Sequence, residues 1–283
     1  MSTVYLNGVF MAAEEAKVSV FDRGFLFADS VYELIPVVDG QGLEMQAHLQ
    51  RFATSLKAIG ITVEMDWQKL CLQLVERNGG GHQAVYLQVS RGSEGRRSMT
   101  YSAAIQPTVF ACCQPIPAPL ARPVEQVNGV KVVLTEDVRW GRCDIKSTML
   151  LPNILARQLA QRTGAEDALL VKEGLVLEGS SCNLFIVRHG EIVTPPLSPH
   201  ILGGTTRSLL LQLARQAAMP VFEADISVAE LCSADEVWLS SSSRGVLPVV
   251  KVDEQSVANG QPGPVWAKMA ALYQQHTGTY TQP

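Results

Sequence analysis

A single lysine, Lys146, stands in the stretch RWGRCDIKSTMLL, with apolar VKVVL upstream and apolar TMLLPNILA downstream. An ammonium is rarely buried without a partner. Three uses compete: a snorkelling surface residue, half of an ion pair, or an amine kept for covalent chemistry. A second candidate is Glu178 in LEGSSCNLFIV, after apolar residues and before an uncharged turn; taken alone it reads as a strand-end surface carboxylate. A third is HILGGTTRSLLLQLARQ, where Gly203-Gly204 runs into Thr205, Thr206 and an amphipathic segment. Two glycines allow close backbone approach, and a helix N-terminus offers N–H groups and a positive dipole end suited to phosphate. Thr is equally a favoured N-cap. The fourth is EVWLSSSSRGVLPVV, whose serines Ser240 to Ser243 form either a plain loop or a set of donors to phosphate or carboxylate oxygens. The nucleotide patterns GxGxxG and GxxxxGK[ST] are absent.

The elements that must position these residues come in two styles. The first part reads as strands and hairpins around Asn7-Gly8 and Asp39-Gly40. There follow a helix in QAHLQRFATSLKAIG, with Leu49, Phe52, Leu56 and Ile59 at helical spacing, and another from about Asp66 to Arg77. AVYLQVSRG and SAAIQPTVFACCQ are strands. PIPAPLARP, with four prolines in nine residues, suits neither helix nor sheet interior. Beyond it the strands GVKVVLTED, DALLVKEGLVLEG, NLFIVRHGEIVTP and EVWLSSSS alternate with helices near Pro152–Arg162, Thr205–Ala218 and Pro264–His276. The expectation is two α/β domains with mixed sheets and helices: residues 1–117, a proline-rich linker at 118–123, and a larger domain at 124–283 carrying Lys146, with the ligand site in the interdomain cleft.

Composition narrows the function. A net charge of −4 with no basic stripe argues against a nucleic-acid binder. No apolar run has bilayer-spanning length and the start, MSTVYLNGVF, lacks a signal-peptide pattern, so no membrane partner and a cytoplasmic location are expected. The six cysteines and five histidines are scattered without metal-binding spacing, so free thiols and no metal are expected.

Taken together, a lysine amine, a carboxylate able to meet a pyridine nitrogen and a Gly-Thr helix terminus for a phosphate describe a site for pyridoxal 5′-phosphate. The amine condenses with the cofactor aldehyde and must shed its proton to act as nucleophile or base. Burial, with Arg139 and Arg142 close in sequence, would lower its pKa. A carboxylate at the ring nitrogen keeps that nitrogen protonated, so the ring can accept electrons from the substrate; the phosphate only anchors it. Lys146 would then lack a side-chain partner because the cofactor takes that place.

The order and wording of seven segments resemble the fold-type IV pyridoxal-phosphate aminotransferases, in particular their D-amino acid aminotransferase branch. They are DRGFLFADSVYE at 22–33, HLQRF at 48–52, VSRG at 89–92, RWGRCDIKS at 139–147, LEGSSCNLF at 177–185, GGTTR at 203–207, and the serine run at 240–243 followed by Pro248. The resemblance implies a two-domain fold-type IV architecture and a role for each matching residue. Lys146 would hold the cofactor covalently and shuttle the substrate proton. Glu178 would pair with the pyridine nitrogen. Arg51, Thr205, Thr206 and Ser242 would hold the phosphate, while Arg139 and Ser181 would help to fix the ring. Tyr32, with Glu33 behind it, would line the substrate pocket. The D-amino acid branch traps the substrate carboxylate with an Arg and, two residues on, a His, reaching from the neighbouring subunit of a homodimer. Here the loop reads SRGSEGRRSMT: Arg96 takes the Arg position, Ser98 replaces the His, and Arg97 is an alternative clamp. Arg244, after the serine run, is a further cation that could alter the pocket.

The implied activity is a ping-pong exchange of an amino group between a D-amino acid, such as D-alanine, and a 2-oxo acid, 2-oxoglutarate or pyruvate. The altered loop keeps a branched-chain L-aminotransferase, an (R)-amine transaminase and aminodeoxychorismate lyase as rivals on the same fold. A ligand-binding protein that has lost the chemistry is the rival from another class.

Overall fold

A computed structural model describes residues 2–116 and 127–278. The chain divides into two compact units. The first holds the described residues up to Ile116 together with Ile145–Met149; the second holds Val127–Asp144 and the chain from Leu150 onward. The expected linker, 118–123, lies outside the described residues.

The first unit contains β1 (Thr3–Leu6), β2 (Val9–Ala12), α1 (Arg23–Phe27), β3 (Ser30–Val38), β4 (Gln41–Gly42), α2 (Met45–Ala58), α3 (Trp67–Arg77), β5 (Gln83–Ser90) and β6 (Thr108–Pro115). Its strands form an antiparallel sheet in the order β2-β1-β6-β5-β3-β4. Asn7-Gly8 and Asp39-Gly40 both turn with positive φ at each residue, the geometry that matches strand twist. Val31, Ile35 and Val37 of β3 pack with Val85, Leu87 and Val89 of β5 against Phe52 and Leu56 of α2 and Leu70 and Leu74 of α3. Period two therefore also puts Glu33 on this apolar face.

The sequence reading places Lys146 in the C-terminal domain, whereas its segment groups with the first unit. The cause is backbone pairing. Val31 bridges Ser147, Tyr32 N donates to Lys146 O at 2.9 Å, Thr148 N donates to Ser30 O at 3.1 Å, and Ile145 joins the core behind β3. Such long-range pairing leaves no local sequence signal.

The second unit contains β7 (Val130–Glu136), α4 (Leu151–Arg162), β8 (Asp167–Lys172), β9 (Leu175–Gly179), β10 (Asn183–Arg188), β11 (Glu191–Thr194), α5 (Thr205–Gln216), β12 (Val221–Glu223), α6 (Val228–Cys232), β13 (Glu236–Ser241), β14 (Gly245–Val252), β15 (Gln255–Ser256) and α7 (Pro264–Thr277). Its sheet is mixed, with parallel pairs β7–β8, β7–β14 and β11–β12. The order runs β12-β11-β10-β13-β14-β7-β8-β9, and β9 then returns to β10 through the pair Glu178–Asn183. The strands thus close on themselves at Glu178. α5 and α7 cover one face with Leu209, Leu210, Leu213 and Met269 against Phe185 and Trp238. Small residues Ala156 and Ala160 let α4 lie close to Val133, Ala168 and Leu170. Two short helices escaped the sequence reading. α1 and α6 have five residues each, too few to show a period, and are set by the Asp22 cap and the Ser227–Glu230 capping box.

Candidate active site

In the first unit Lys146 is half-buried. Among the described residues no hydrogen bond or ion pair holds its Nζ, which lies 4.2 Å from the centre of the Tyr32 ring. The ring attracts a cation but demands no proton from it, so the amine stays available. Ser55 Oγ fixes the lysine backbone by accepting from its N–H at 3.1 Å. Tyr32 is in turn stacked on Tyr86, with centroids 5.5 Å apart and planes at 27°.

Directly behind Tyr32, Glu33 is completely buried. Arg51 donates from Nε to Oε2 at 2.9 Å and from Nη2 to Oε1 at 2.6 Å. His48 Nδ1 and the Leu34 N–H add contacts to Oε1 at 2.9 and 3.0 Å. Burial works to raise this carboxyl's pKa, but Arg51 and His48 outweigh it and hold the group well below the usual carboxylate range. Burial also holds His48 below its ordinary value, against the pull of Glu33. His48, which the sequence reading missed, shares the inner face of α2 with Phe52 and Ser55; its spacing to Arg51 was the available signal.

In the second unit Glu178 is 4% exposed, so the strand-end surface reading is wrong. The strand closure encloses it. Arg139 Nη1 donates to its Oε1 at 2.5 Å, while Asn183 Nδ2 and the Leu202 N–H both reach Oε2 at 3.1 Å. Arg139 is also gripped by Asp137 through Nε and Nη2, at 2.9 and 2.8 Å, and donates to the His200 carbonyl. Burial pushes the Glu178 carboxyl up to about 7 despite Arg139, with the Asp137 charge adding to the rise. A carboxylate so placed gains from a cation opposite it. Arg142 takes no part; it pairs with Asp144 in solvent.

Strand register sets Glu178, Asn183 and Ser240 side by side across β9, β10 and β13. The Oγ atoms of Ser240 and Ser241 are buried without a hydrogen-bond partner among the described residues. These two serines lie within β13, while Ser242, half-buried, begins the turn to β14. The cap of α5 is Gly204, not a threonine, and it supplies no side-chain bond to the first turn. A Cβ at Gly204 would fall 2.0 Å from Asn183 Oδ1, so glycine is what lets the helix start against the Glu178 row. Thr205 and Thr206 open the helix and are both buried. Ser181 is exposed at the tip of the β9–β10 turn. Arg244 turns to Glu166 and Asp167, both at 2.8 Å, rather than standing as an added pocket cation.

The loop after β5 carries Arg96 and Arg97, both exposed; Arg96 makes no ion pair among the described residues and Arg97 lies over the Phe27 ring at 5.1 Å. Ser98 Oγ contacts Thr100 Oγ1 at 3.1 Å. Buried Arg23, which the sequence reading passed over, donates to the Ser98 and Met99 carbonyls and pairs with Asp29, as does Arg91.

A family profile described as amino-transferase class IV matches residues 30–252. The chain belongs to the class IV aminotransferases. It is 38% identical to a D-alanine aminotransferase of Bacillus licheniformis, over 93% of this chain and 92% of that one. It is 34% identical to the D-alanine aminotransferase of Staphylococcus aureus (strain COL), over 99% of this chain and all of that one. Among solved structures, the branched-chain aminotransferase of the thermophilic archaeon Thermoproteus uzoniensis with norvaline superposes with a TM-score of 0.86 at 28% identity, covering 97% of this chain and 94% of that one.

As a class IV aminotransferase the chain uses pyridoxal 5′-phosphate, and its residues fit that group. Among the described residues the Lys146 amine has no hydrogen bond or ion pair and the Ser240 and Ser241 hydroxyls have no partner, while the buried Glu178 carboxyl has a raised pKa; an aldehyde, a phosphate and a protonated ring nitrogen are groups that would suit them. The described residues hold no helix long and apolar enough to cross a membrane and no cluster suited to a metal ion.

Proposed function

We propose that this aminotransferase exchanges the amino group of a D-amino acid such as D-alanine with a 2-oxo acid, 2-oxoglutarate or pyruvate, in a ping-pong cycle. The observation that carries the reading is the Lys146 amine, half-buried over Tyr32 and, among the described residues, in no ion pair with a carboxylate. When bound, the cofactor supplies a protonated ring that accepts electrons from the substrate α-carbon. Lys146 would hold the cofactor through its Nζ and, once free, would move the substrate α-proton with that amine. Glu178, oriented by Arg139 and Asn183, holds the proton at the ring nitrogen. Thr205, Thr206, Ser242 and Arg51 bind the phosphate, and Arg139 and Ser181 fix the ring. Tyr32 lines the substrate pocket. Arg96 or Arg97 clamps the substrate carboxylate; their exposure leaves both able to do so. The D-alanine aminotransferase relatives support the choice of enantiomer.

A homodimer is part of this proposal. Leu151, Ile154 and Leu155 form an exposed apolar stripe on α4, at 66, 54 and 57% exposure, and Phe25 and Met99 are exposed at 76 and 75%. Apolar surface of this kind supports a protein partner. Six free cysteines support a reducing, cytoplasmic location.

One observation favours a second reading: Ser98 stands where the D-specific branch uses histidine, which leaves the branched-chain L-aminotransferase, (R)-amine transaminase and aminodeoxychorismate lyase activities as alternatives. The test is to offer the cofactor-loaded protein D-alanine, L-leucine, (R)-1-phenylethylamine and aminodeoxychorismate in turn and follow the cofactor spectrum. D-alanine is expected to convert it to the pyridoxamine form. Conversion by L-leucine alone overturns the D-specific reading.

A further inference from the structure

We propose that Asp167 is a positioning residue that ties the turn after Glu178 and the turn after Ser241 into one rigid cradle for the cofactor. The inference rests on the assignment of those two turns to the ring nitrogen and the phosphate.

Asp167 opens β8 and is completely buried. Its Oδ1 accepts from the Ser180 N–H at 3.1 Å and from Ser180 Oγ at 2.5 Å, which fixes the turn that begins two residues after Glu178. Its Oδ2 accepts from Arg244 Nη2 at 2.8 Å, and Arg244 is the last residue of the turn that contains Ser242. Arg157 Nη1, at 3.2 Å, and Cys182 Sγ, at 3.5 Å, complete the surroundings of Oδ2. Arg244 is fixed further by Glu166 at 2.8 Å, and Asn153 of α4 holds the Ser180 carbonyl at 2.8 Å. One carboxylate therefore ties together two hairpin turns about sixty residues apart in sequence, the β9–β10 turn and the β13–β14 turn.

A buried ion pair contributes little net stability, because desolvation consumes most of the attraction; its common product is a defined geometry. The geometry here matters in two places. Ser180 sets the direction in which the chain leaves Glu178, and Arg244 sets where the Ser242 hydroxyl stands. Neither Asp167 nor Arg244 is required to touch the cofactor.

The two arms can be cut separately. Ser180→Ala removes the hydroxyl bond of the first arm, leaving the backbone N–H bond and the pairing of Asp167 with Arg244 in place; Arg244→Gln removes the second. The full-length protein is titrated with pyridoxal 5′-phosphate, the absorbance of the loaded form is followed against pH, and the melting temperature of each variant is taken. Arg244→Gln is expected to weaken cofactor binding about tenfold, the effect of losing one supporting charged hydrogen bond. Ser180→Ala is expected to move the pH midpoint of the bound-cofactor absorbance. If both variants melt lower yet bind the cofactor with wild-type affinity and pH profile, Asp167 is a stability element only and the proposal is overturned. Glu178→Gln is the control: should it leave the absorbance profile unmoved, the assignment of Glu178 fails, and the cradle is then judged on the Arg244→Gln affinity alone.

Discussion

Glu33 in the first unit and Glu178 in the second are both buried carboxylates paired with an arginine, yet their acidities move in opposite directions. Glu33 receives two nitrogens of Arg51, a histidine and a backbone N–H, so both oxygens meet strong donors. Glu178 receives one nitrogen of an arginine that Asp137 already neutralises, and its other oxygen meets only neutral donors. The same burial penalty is more than offset in one place and left standing in the other. The difference teaches that an arginine contact does not by itself make a carboxylate structural; the charge left over after the arginine's other partners does. Glu33 is complete in itself and serves to hold Arg51 and the strand under Tyr32. Glu178 is incomplete, and a protonated ring nitrogen would complete it.

The largest effect tests the chemistry that this arrangement serves. Lys146→Ala is expected to lower kcat by at least about 10³-fold, since no other group described here can move the α-proton, and to leave the fold intact by circular dichroism. Borohydride treatment of the wild-type holoenzyme should place the pyridoxyl label on the peptide containing Lys146; a label elsewhere refutes the assignment. Next in size, Glu33→Gln removes the buried charge that pairs with Arg51 Nε and Nη2 and is expected to cost about 3 kcal/mol in a denaturant titration. A loss below about 1 kcal/mol, the level of an ordinary hydrogen bond, would erase the contrast with Glu178.

The smallest effect is the sharpest for the comparison, because the two glutamates should differ in sign. In the cofactor-free protein the raised Glu178 pKa means that the folded state binds the proton more tightly than the unfolded chain. Its stabilising contribution is complete below the ordinary value of 4.5 and is lost as pH rises toward about 7. Measured against Glu178→Gln, the wild type should therefore lose relative stability across that interval. The depressed pKa of Glu33 reverses the sign: its contribution is present above 4.5 and is lost as pH falls below it. Parallel pH profiles for the two substitutions would contradict the distinction.

Much of the fold was legible because its signals are local. The hairpins at Asn7-Gly8 and Asp39-Gly40 need two residues of positive φ, and the sequence names them. The longer helices show their apolar period and α3 its Asp66 cap. Lys146, the Gly-Thr helix start and the serine run were also visible as residue types out of keeping with their surroundings. Partners were not. Asn183, Asp137, His48 and Asp167 are ordinary polar residues in sequence, and only pairing across distant strands and helices makes them supports of the site.

The sequence by itself determined the chemical inventory and the parity of each strand: a lone lysine amine, a carboxylate after an apolar strand, and Glu33 in step with Val31 and Ile35. Tertiary structure decided which of these groups are satisfied. It bound Lys146 to β3 by backbone bridges across more than a hundred residues, enclosed Glu178 by joining β9 to β10, and left Ser240 and Ser241 without partners among the described residues. The physical reason is that burial, hydrogen bonding and residual charge are properties of a surrounding volume, and residues far apart in the chain fill that volume.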